Sequence, residues 1–221
     1  MSKQDELKHK VALAALEYFD DYDMVVGIGT GSTVNCLIDV LGQVKNRIDA
    51  CVSSSNETTK RLKAQGFRVI ELNQSGQLSL YIDGADECDG HNRLIKGGGG
   101  ALTREKIIAS ASDKFICIVD ESKMVDVLGK FPLPVEVIPM AQSHVGRTLV
   151  KLGGQPELRH NFTTDNGNII IDVHNLKILD PLSLESQIND IAGVVSNGIF
   201  AYQKAYATLI AKKTGTLTQK K

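Results

Sequence analysis

The chain is 221 residues long, and 42% of these residues are hydrophobic while 23% are charged. A chain of this length and composition buries a substantial core, which excludes an intrinsically disordered protein. The 25 basic and 26 acidic side chains nearly cancel and leave a formal charge of -1, so the sequence predicts no broad surface for nucleic acids.

Neither the amino terminus nor the cysteines predict export or membrane insertion. The first seven residues lack the apolar core of a secretory signal, and no run reaches the roughly 18 apolar residues of a membrane span. The four cysteines occur singly, which favours reduced thiols over disulfides. We therefore expect a cytoplasmic protein that does not bind a membrane.

The first half of the chain alternates short apolar runs with helical patterns. Residues 24–28 predict a strand, a glycine-rich loop follows, and residues 34–41 predict a helix. The same order recurs from residue 48, where Ser54 and Glu57 have the spacing of a capping box before the next helix. Further apolar runs predict strands at residues 48–52, 67–72, 78–82 and 115–119.

Strands that alternate with helices predict a Rossmann-like α/β fold, in which a mainly parallel sheet has helices on both faces. Ligands of such sheets bind beyond the carboxyl ends of the strands. The loops at residues 30–33, 83–87 and 120–123 each follow a predicted strand. We therefore expect these loops to converge on one crevice.

The pattern changes at residues 131–134, where two prolines indicate a domain border. The order beyond it is strand, helix, strand, strand, helix, strand, which is typical of a ferredoxin-like α+β domain. The sequence predicts a small domain at residues 131–202 and a Rossmann-like catalytic domain at residues 1–130 and 203–221.

Four consecutive glycines, residues 97–100, precede a helical pattern at residues 101–112. Because glycine loses the most backbone entropy on folding, such a run predicts a place where bare backbone is needed. The helix has good helix formers, with Leu102, Ile107 and Ile108 spaced for one apolar stripe. The glycines are therefore expected at the start of a helix.

The start of a helix offers unpaired N–H groups and a positive potential to an anionic ligand. Lys96 flanks the glycines, and Glu105 lies within the first turns of the helix. This arrangement predicts a site for a small, negatively charged molecule with a carboxylate above it.

Two other motifs leave alternatives open. The loop at residues 27–33 has serine at position 32, where a dinucleotide-binding fingerprint has its third glycine, and it lacks the lysine that follows the glycines of a Walker loop. It is therefore compatible with binding a small phosphate or a sugar hydroxyl, or with a plain tight turn. The acidic cluster at residues 83–89 is compatible with a solvated turn, a metal site or acid–base chemistry. Its spacing matches no calcium loop.

Four motifs together resemble the A-type family of ribose-5-phosphate isomerases. They are Gly29-Thr-Gly-Ser-Thr33, Asp83-Gly-Ala-Asp-Glu87, Lys96-Gly-Gly-Gly-Gly-Ala-Leu-Thr-Arg-Glu-Lys106 and Gly129-Lys-Phe-Pro-Leu-Pro-Val-Glu-Val137. The likeness runs in order from about Asp5 to Phe200, and a series of long motifs is more specific than any one glycine loop. It implies the reversible conversion of ribose 5-phosphate to ribulose 5-phosphate, a step of the pentose phosphate pathway, without metal or organic cofactor.

The resemblance also implies roles for individual residues. Glu105 is expected to be the base, and Asp83, Asp86 and Lys96 are expected to assist it. The residues expected to bind substrate are Thr30, Gly31, Ser32, Thr33, Asp83, Gly84, Ala85, Asp86, Lys96, Gly97, Gly98, Gly99 and Lys123. The family is generally oligomeric, so we expect a homodimer whose only partner besides itself is the sugar phosphate.

Two other classes of protein share this fold. A sugar-phosphate sensor would need a partner domain such as a helix-turn-helix segment, and none is predicted before Met24. An amino-sugar phosphate deaminase would show different motifs. Both remain less favoured alternatives to the isomerase.

Overall fold

The computed structural model describes residues 3–220. The helices are α1 (Lys3–Ala15), α2 (Ser32–Val40), α3 (Asn56–Ala64), α4 (Leu72–Ser75), α5 (Leu102–Ser110), α6 (Gln142–Lys151) and α7 (Pro181–Asn189). The strands are β1 (Met24–Ile28), β2 (Ile48–Ser53), β3 (Leu80–Asp83), β4 (Glu87–Cys88), β5 (Leu94–Ile95), β6 (Phe115–Asp120), β7 (Leu133–Val137), β8 (Gln155–Leu158), β9 (Ile169–His174), β10 (Val194–Asn197), β11 (Ile199–Phe200), β12 (Ala207–Lys212) and β13 (Gly215–Lys220).

The larger sheet contains six strands of the described residues, in the order β13-β12-β6-β3-β1-β2. The pairs from β12 to β2 are all parallel, and β13 joins β12 in an antiparallel hairpin. Every residue of β6 is buried, as expected for a central strand of a parallel sheet that is covered on both faces. The predicted mainly parallel sheet is confirmed.

Helices cover both faces of this sheet. Val26 and Ile28 of β1 belong to the same buried apolar cluster as Leu37 of α2. Gly27 lies between them along the strand, and a Cβ built on it would meet Ile108 of α5. Because successive strand residues point to opposite faces, α2 and α5 pack on opposite faces of the sheet. Among the helices of residues 3–220, none combines the length and the apolar character needed to cross a bilayer.

The buried face of α5 differs from the predicted stripe. Leu102 and Ile108 are buried as expected, but Ile107 is 48% exposed, so its place in the stripe was wrong. The buried face instead continues through Glu105, which is only 4% exposed. Positions three apart lie on one side of a helix, so residues 102, 105 and 108 share this face. A carboxylate therefore lies on the buried face of α5 between two apolar side chains.

The chain divides into two compact units, whose boundaries differ from the predicted domains. The first unit contains residues up to Ala85, Arg104–Lys123 and the chain from Ala205 onwards. The second unit contains Asp86–Thr103 and Met124–Lys204. It thus includes the predicted small domain, residues 131–202, together with the glycine-rich segment that the sequence analysis placed in the large domain. Residues 1, 2 and 221 of the predicted large domain lie outside the described residues.

The second unit contains the βαββαβ order that the sequence predicts. β7, β8, β9 and β10 form an antiparallel sheet in the order β10-β7-β9-β8, in which the first and third strands lie side by side at the centre. This is the strand order of the ferredoxin-like fold, so the predicted fold of this segment is confirmed. A further small sheet, β11-β5-β4, lies in the same unit and was not predicted.

Two segments of the first unit depart from the predicted elements. The strand predicted at residues 67–72 is reduced to an isolated bridge between Val69 and Cys51. A capping box between Glu71 and Gln74 starts α4 there and stops the extended chain. At the other end, the sequence predicted no element after Ile210, whereas the hairpin of β12 and β13 extends the sheet to Lys220.

Candidate active site

Three loops of the first unit meet at one edge of its sheet. β2, β1 and β3 are neighbouring parallel strands, so their carboxyl ends lie side by side. Thr30 follows β1, Ser54 follows β2, and Asp83 ends β3. The Thr30 and Ser54 hydroxyls are 2.7 Å apart, and the Thr30 N–H donates to Asp83. The predicted convergence is therefore observed for the loops of Thr30 and Asp83, and Ser54, which was not among the predicted loops, joins them.

Asp83 is a fully buried carboxylate that accepts several hydrogen bonds. Its Oδ1 accepts the N–H of Thr30 at 3.0 Å and the N–H of Gly84 at 2.7 Å, while its Oδ2 accepts the hydroxyl of Tyr81. Backbone N–H groups favour the charged form of a carboxylate and offset part of the cost of burying it. Both oxygens are bonded, so the plane of this carboxylate is fixed.

Glu105 and Asp83 both act electrostatically on the same tyrosine. Tyr81 is fully buried, and its ring packs against Phe115 with 5.0 Å between the centroids. Burial raises the pKa of Tyr81 well above its usual value, and the negative charges of Asp83 and Glu105 raise it further, although a hydrogen bond with Ser54 opposes the shift. The phenol is therefore a neutral hydrogen-bond donor at physiological pH.

The start of α3 corrects one detail of the sequence analysis. Ser55, not Ser54, is the N-cap: its side chain accepts from the N–H of Thr58 at 3.1 Å. The Thr58 hydroxyl in turn donates to the Gly29 carbonyl at 2.8 Å. Because Ser55 takes the capping role, the Ser54 side chain is available to Thr30 and Tyr81 at the sheet edge.

The other predicted residues of the first unit lie at the start of α2 and after β6. Gly31 and Ser32 are exposed where α2 begins, and Thr33 is half-buried in its first turn. Lys123 ends a short 3-10 segment after β6 and is half-buried. Burial raises the pKa of the Asp120 carboxyl, but hydrogen bonds from Ser122 and Gln4 and the charge of Lys123 outweigh it and lower that pKa.

The second unit contains the glycine-rich loop, Lys96 and Asp86. The Gly100 N–H donates to the Gly97 carbonyl at 2.9 Å and closes a tight turn, in which both residues have positive φ. Asp86 accepts the Gly98 N–H at 2.8 Å and so holds one side of this turn. Lys96 is 2% exposed, and its Nζ lies 5.6 Å from the centre of the Phe200 ring.

Two residues of the small domain hold the glycine-rich loop from outside. Nη1 of Arg159 donates to the carbonyls of Gly97 and Gly98, each at 3.2 Å. Phe162 packs so closely on Gly100 that a Cβ at that glycine would overlap its ring. A trans peptide directs its C=O and N–H to opposite sides, so the Gly99 N–H points away from Arg159. The predicted need for bare backbone has a structural cause at Gly100, which no larger residue fits.

Tyr81, Arg159 and Phe162 were not predicted from the sequence. Tyr81 had a signal, because it lies two residues before Asp83 and so shares its side of β3. Arg159 and Phe162 had none, since they lie about 60 residues from the glycines that they contact. Only the fold of the second unit brings them to the loop.

No cluster of three or more potential metal ligands among His, Cys, Asp and Glu occurs within the described residues. Cys36, Cys51, Cys88 and Cys117 are free thiols. The acidic residues after β3 have protein partners instead, since Glu87 accepts the N–H groups of Gly129 and Phe131. The structure therefore assigns Glu87 a role in packing the second unit.

Comparison with known proteins agrees with the geometry. The family model for ribose 5-phosphate isomerase A (phosphoriboisomerase A) matches residues 50–215. The structure of ribose 5-phosphate isomerase A from Neisseria gonorrhoeae is 49% identical, with a TM-score of 0.95, covering 99% of this chain and 97% of that one. The enzyme from Methanocaldococcus jannaschii is 40% identical, with a TM-score of 0.93, covering 99% of this chain and 100% of that one.

A third similar structure is a D-ribose-5-phosphate isomerase in complex with phospho-erythronic acid. It is 38% identical to this chain, with a TM-score of 0.95, and the match covers 100% of both chains. Fold, loops and matches together define an isomerase of phosphorylated sugars. The chain belongs to the ribose 5-phosphate isomerase A family, whose reaction interconverts ribose 5-phosphate and ribulose 5-phosphate.

Proposed function

We propose that this chain interconverts ribose 5-phosphate and ribulose 5-phosphate with Glu105 as the base that moves the proton between carbon 2 and carbon 1. The reaction removes a proton from the carbon beside the carbonyl, passes through an enediolate and returns the proton one carbon away. One carboxylate performs both transfers if it reaches both carbons. Glu105 suits this role because it is a buried carboxylate, 4% exposed, on the inner face of α5.

The observation that carries the proposal is the pair of buried carboxylates around Tyr81. The negative charges of Asp83 and Glu105 both raise the pKa of that phenol, and Asp83 also accepts a hydrogen bond from its hydroxyl. A second carboxylate is what the reaction requires, because a hydroxyl proton must also move from one sugar oxygen to the other and the furanose ring must open. We assign these oxygen-bound protons to Asp83, with Asp86 assisting it.

Charge that develops on the enediolate oxygen needs donors that are already in place. We propose that Lys96 supplies one such donor, because it carries an ammonium group at a position only 2% exposed. The Gly98 N–H is already donated to Asp86, so the Gly99 N–H is proposed as the further donor, with the bare backbone of Gly97, Gly98 and Gly99 lining the substrate site. Gly98 and Gly99 are exposed, and a loop without side chains lets a ligand approach the backbone closely.

The phosphate and the sugar hydroxyls are proposed to bind to the loops at the sheet edge. The set consists of Thr30, Gly31, Ser32, Thr33, Gly84, Ala85 and Lys123. Hydroxyl groups and N–H groups at the start of α2 are suited to a phosphate, and Lys123 adds a positive charge. No metal ion is needed for this chemistry, since the proposed groups supply the proton transfers and the stabilising charge.

Glu105→Gln tests the assignment of the base. The amide keeps the shape of the side chain but takes up no proton, so kcat should fall by roughly 10² to 10⁴. The assay uses purified protein, a metal chelator and ribose 5-phosphate, with detection of the ketose. In D2O, the wild-type reaction should also place deuterium on carbon 1 of the ketose. In the variant, the rate of this deuterium incorporation should fall by the same factor as kcat.

A matched control is Glu17→Gln, which alters an exposed glutamate of the same unit. It should leave kcat and KM unchanged. Phospho-erythronic acid bears a carboxylate that imitates the planar, charged enediolate, so its binding to the Glu105→Gln variant reports whether the pocket is intact. An unchanged kcat in that variant would refute the assignment.

We also propose that the protein acts as a homodimer in the cytoplasm, as the family resemblance implies. The second unit leaves large apolar side chains exposed, among them Met140 at 94% and Leu179 at 77%. Light scattering during size-exclusion chromatography measures the assembly, and the mass of two chains is the expected result. The mass of a single chain at micromolar concentration would contradict it.

A further inference from the structure

We propose that Tyr81 is a positioning residue for the isomerase reaction, and that its hydroxyl holds the Asp83 carboxylate in the orientation that the hydroxyl proton transfer requires. The inference rests on the assignment of Asp83 and Glu105 proposed above. It concerns a buried side chain to which neither the sequence motifs nor the reaction itself assigns a role.

Geometry gives the first reason. Tyr81 and Asp83 point to the same side of β3, and the phenol donates to Asp83 Oδ2. The backbone donors of Thr30 and Gly84 both bond the other oxygen, Oδ1. Two donors on one oxygen leave the carboxylate able to turn about the bond to its Cβ. The tyrosine hydroxyl bonds the second oxygen and so opposes this rotation.

Charge gives the second reason. Tyr81 is faced by the carboxylates of Asp83 from β3 and Glu105 from α5, and by the hydroxyl of Ser54 from the loop after β2. An ionisable donor such as lysine would neutralise one of the two carboxylates. A phenol whose pKa is raised by burial and by both charges stays neutral. It therefore orients Asp83 without itself transferring a proton. The two carboxylates can then keep separate roles.

Packing gives the third reason. The Tyr81 ring lies against Phe115, and a Cβ on Gly27 would overlap the ring, so the glycine makes room for it. The ring is thus held by both neighbouring strands, β1 and β6. A fixed ring presents its hydroxyl at one place, which a more flexible donor would not do.

Tyr81→Phe keeps the ring and removes only the hydroxyl. A hydrogen bond to a charged group is worth about 1.5–3 kcal/mol, which corresponds to roughly tenfold or more in rate. We expect kcat on ribose 5-phosphate to fall by about that factor while KM and the binding of phospho-erythronic acid change little. Tyr206→Phe is the matched control, since that tyrosine is 51% exposed in the same unit, and it should leave both constants unchanged.

A double-mutant cycle with Asp83→Asn separates positioning from general stability. If Tyr81 acts through Asp83, adding Tyr81→Phe to Asp83→Asn should cause no further loss of kcat. A full additional loss in the double variant would overturn the inference, as would an unchanged kcat in Tyr81→Phe alone. Binding of phospho-erythronic acid reports whether Tyr81→Phe keeps its folded site. If this variant loses that binding together with kcat, the hydroxyl maintains the structure of the site rather than the orientation of Asp83, and the inference is overturned.

The cycle also distinguishes this inference from the assignment on which it rests. If Asp83→Asn keeps full activity, Asp83 has no role in the reaction and both proposals fail. If Asp83→Asn is impaired and Tyr81→Phe is not, the assignment of Asp83 stands and only the role of Tyr81 is excluded.

Discussion

Gly29 lies directly against the carboxyl group of Asp83: a Cβ built on this glycine would overlap the Asp83 carboxyl carbon and one of its oxygens. The close approach arises because the chain leaves β1 beside the end of β3, where the Gly29 N–H donates to the Ile82 carbonyl at 2.9 Å. The first glycine of the Gly29-Thr-Gly motif therefore makes room for an acidic side chain on the neighbouring strand.

Gly29→Ala should displace Asp83 and lower kcat. Moving a catalytic group by about 1 Å costs on the order of 10²-fold in rate, so a loss of that size is expected. Gly42→Ala is the control, because a Cβ at Gly42 meets no atom within 4 Å. Steady-state kinetics of the two variants test the prediction. Equal activity of Gly29→Ala and wild type would show that Asp83 tolerates displacement or is not needed.

Lys96→Ala should lower kcat by roughly 10², since a single donor to a developing oxyanion contributes on the order of 3 kcal/mol. Lys151→Ala, which changes an exposed lysine of the same unit, should have no effect. The two constants distinguish two roles for Lys96. If KM rises and kcat is untouched, Lys96 holds the substrate and does not stabilise the enediolate.

Arg159→Lys should loosen the glycine-rich loop. The guanidinium forms a bidentate ion pair with Asp172, with N–O distances of 2.8 and 2.5 Å, and it donates to two loop carbonyls as well. A lysine keeps the charge but has no planar fork that could make all these contacts. We expect kcat/KM to fall by about tenfold. Arg147→Lys, at an exposed position, is the control. A wild-type kcat/KM would mean that the loop keeps its shape without this clamp.

Glu136→Gln should destabilise the fold of the second unit. The side chain of Glu136 is fully buried and accepts hydrogen bonds from Thr103, Thr164, Asn166 and Asn168. An amide turns one acceptor into a donor that faces other donors, at a cost of about 1–3 kcal/mol. Urea denaturation should show this loss in the free energy of unfolding. The exposed control Glu157→Gln should stay within about 0.5 kcal/mol of wild type. If Glu136→Gln also stays within this range, the hydrogen bonds around position 136 rearrange to accommodate the amide.

Much of the fold was predictable because it depends on local patterns. Short apolar runs followed by helical periodicity predicted β1, β2, β3 and β6 and the helices between them. The two exceptions have different causes. A capping box between Glu71 and Gln74 starts α4 within the segment that was predicted as a strand, and β13 forms because it pairs with β12 at the edge of the sheet.

The sequence by itself determined the kinds of groups at the site, because their chemistry is a property of the residues: acidic side chains after one strand, bare backbone before a helix, and a lysine and a glutamate on either side of it. Only the tertiary structure decided how those groups are held. Tyr81 shares its side of β3 with Asp83 by sequence spacing alone, but only the packing of α5 exposes it to the charge of Glu105 as well. The sequence identifies Arg159 only as a charged residue, and the fold of the second unit places its guanidinium against the Gly97 carbonyl. Such contacts join residues far apart in sequence, so no local pattern encodes them.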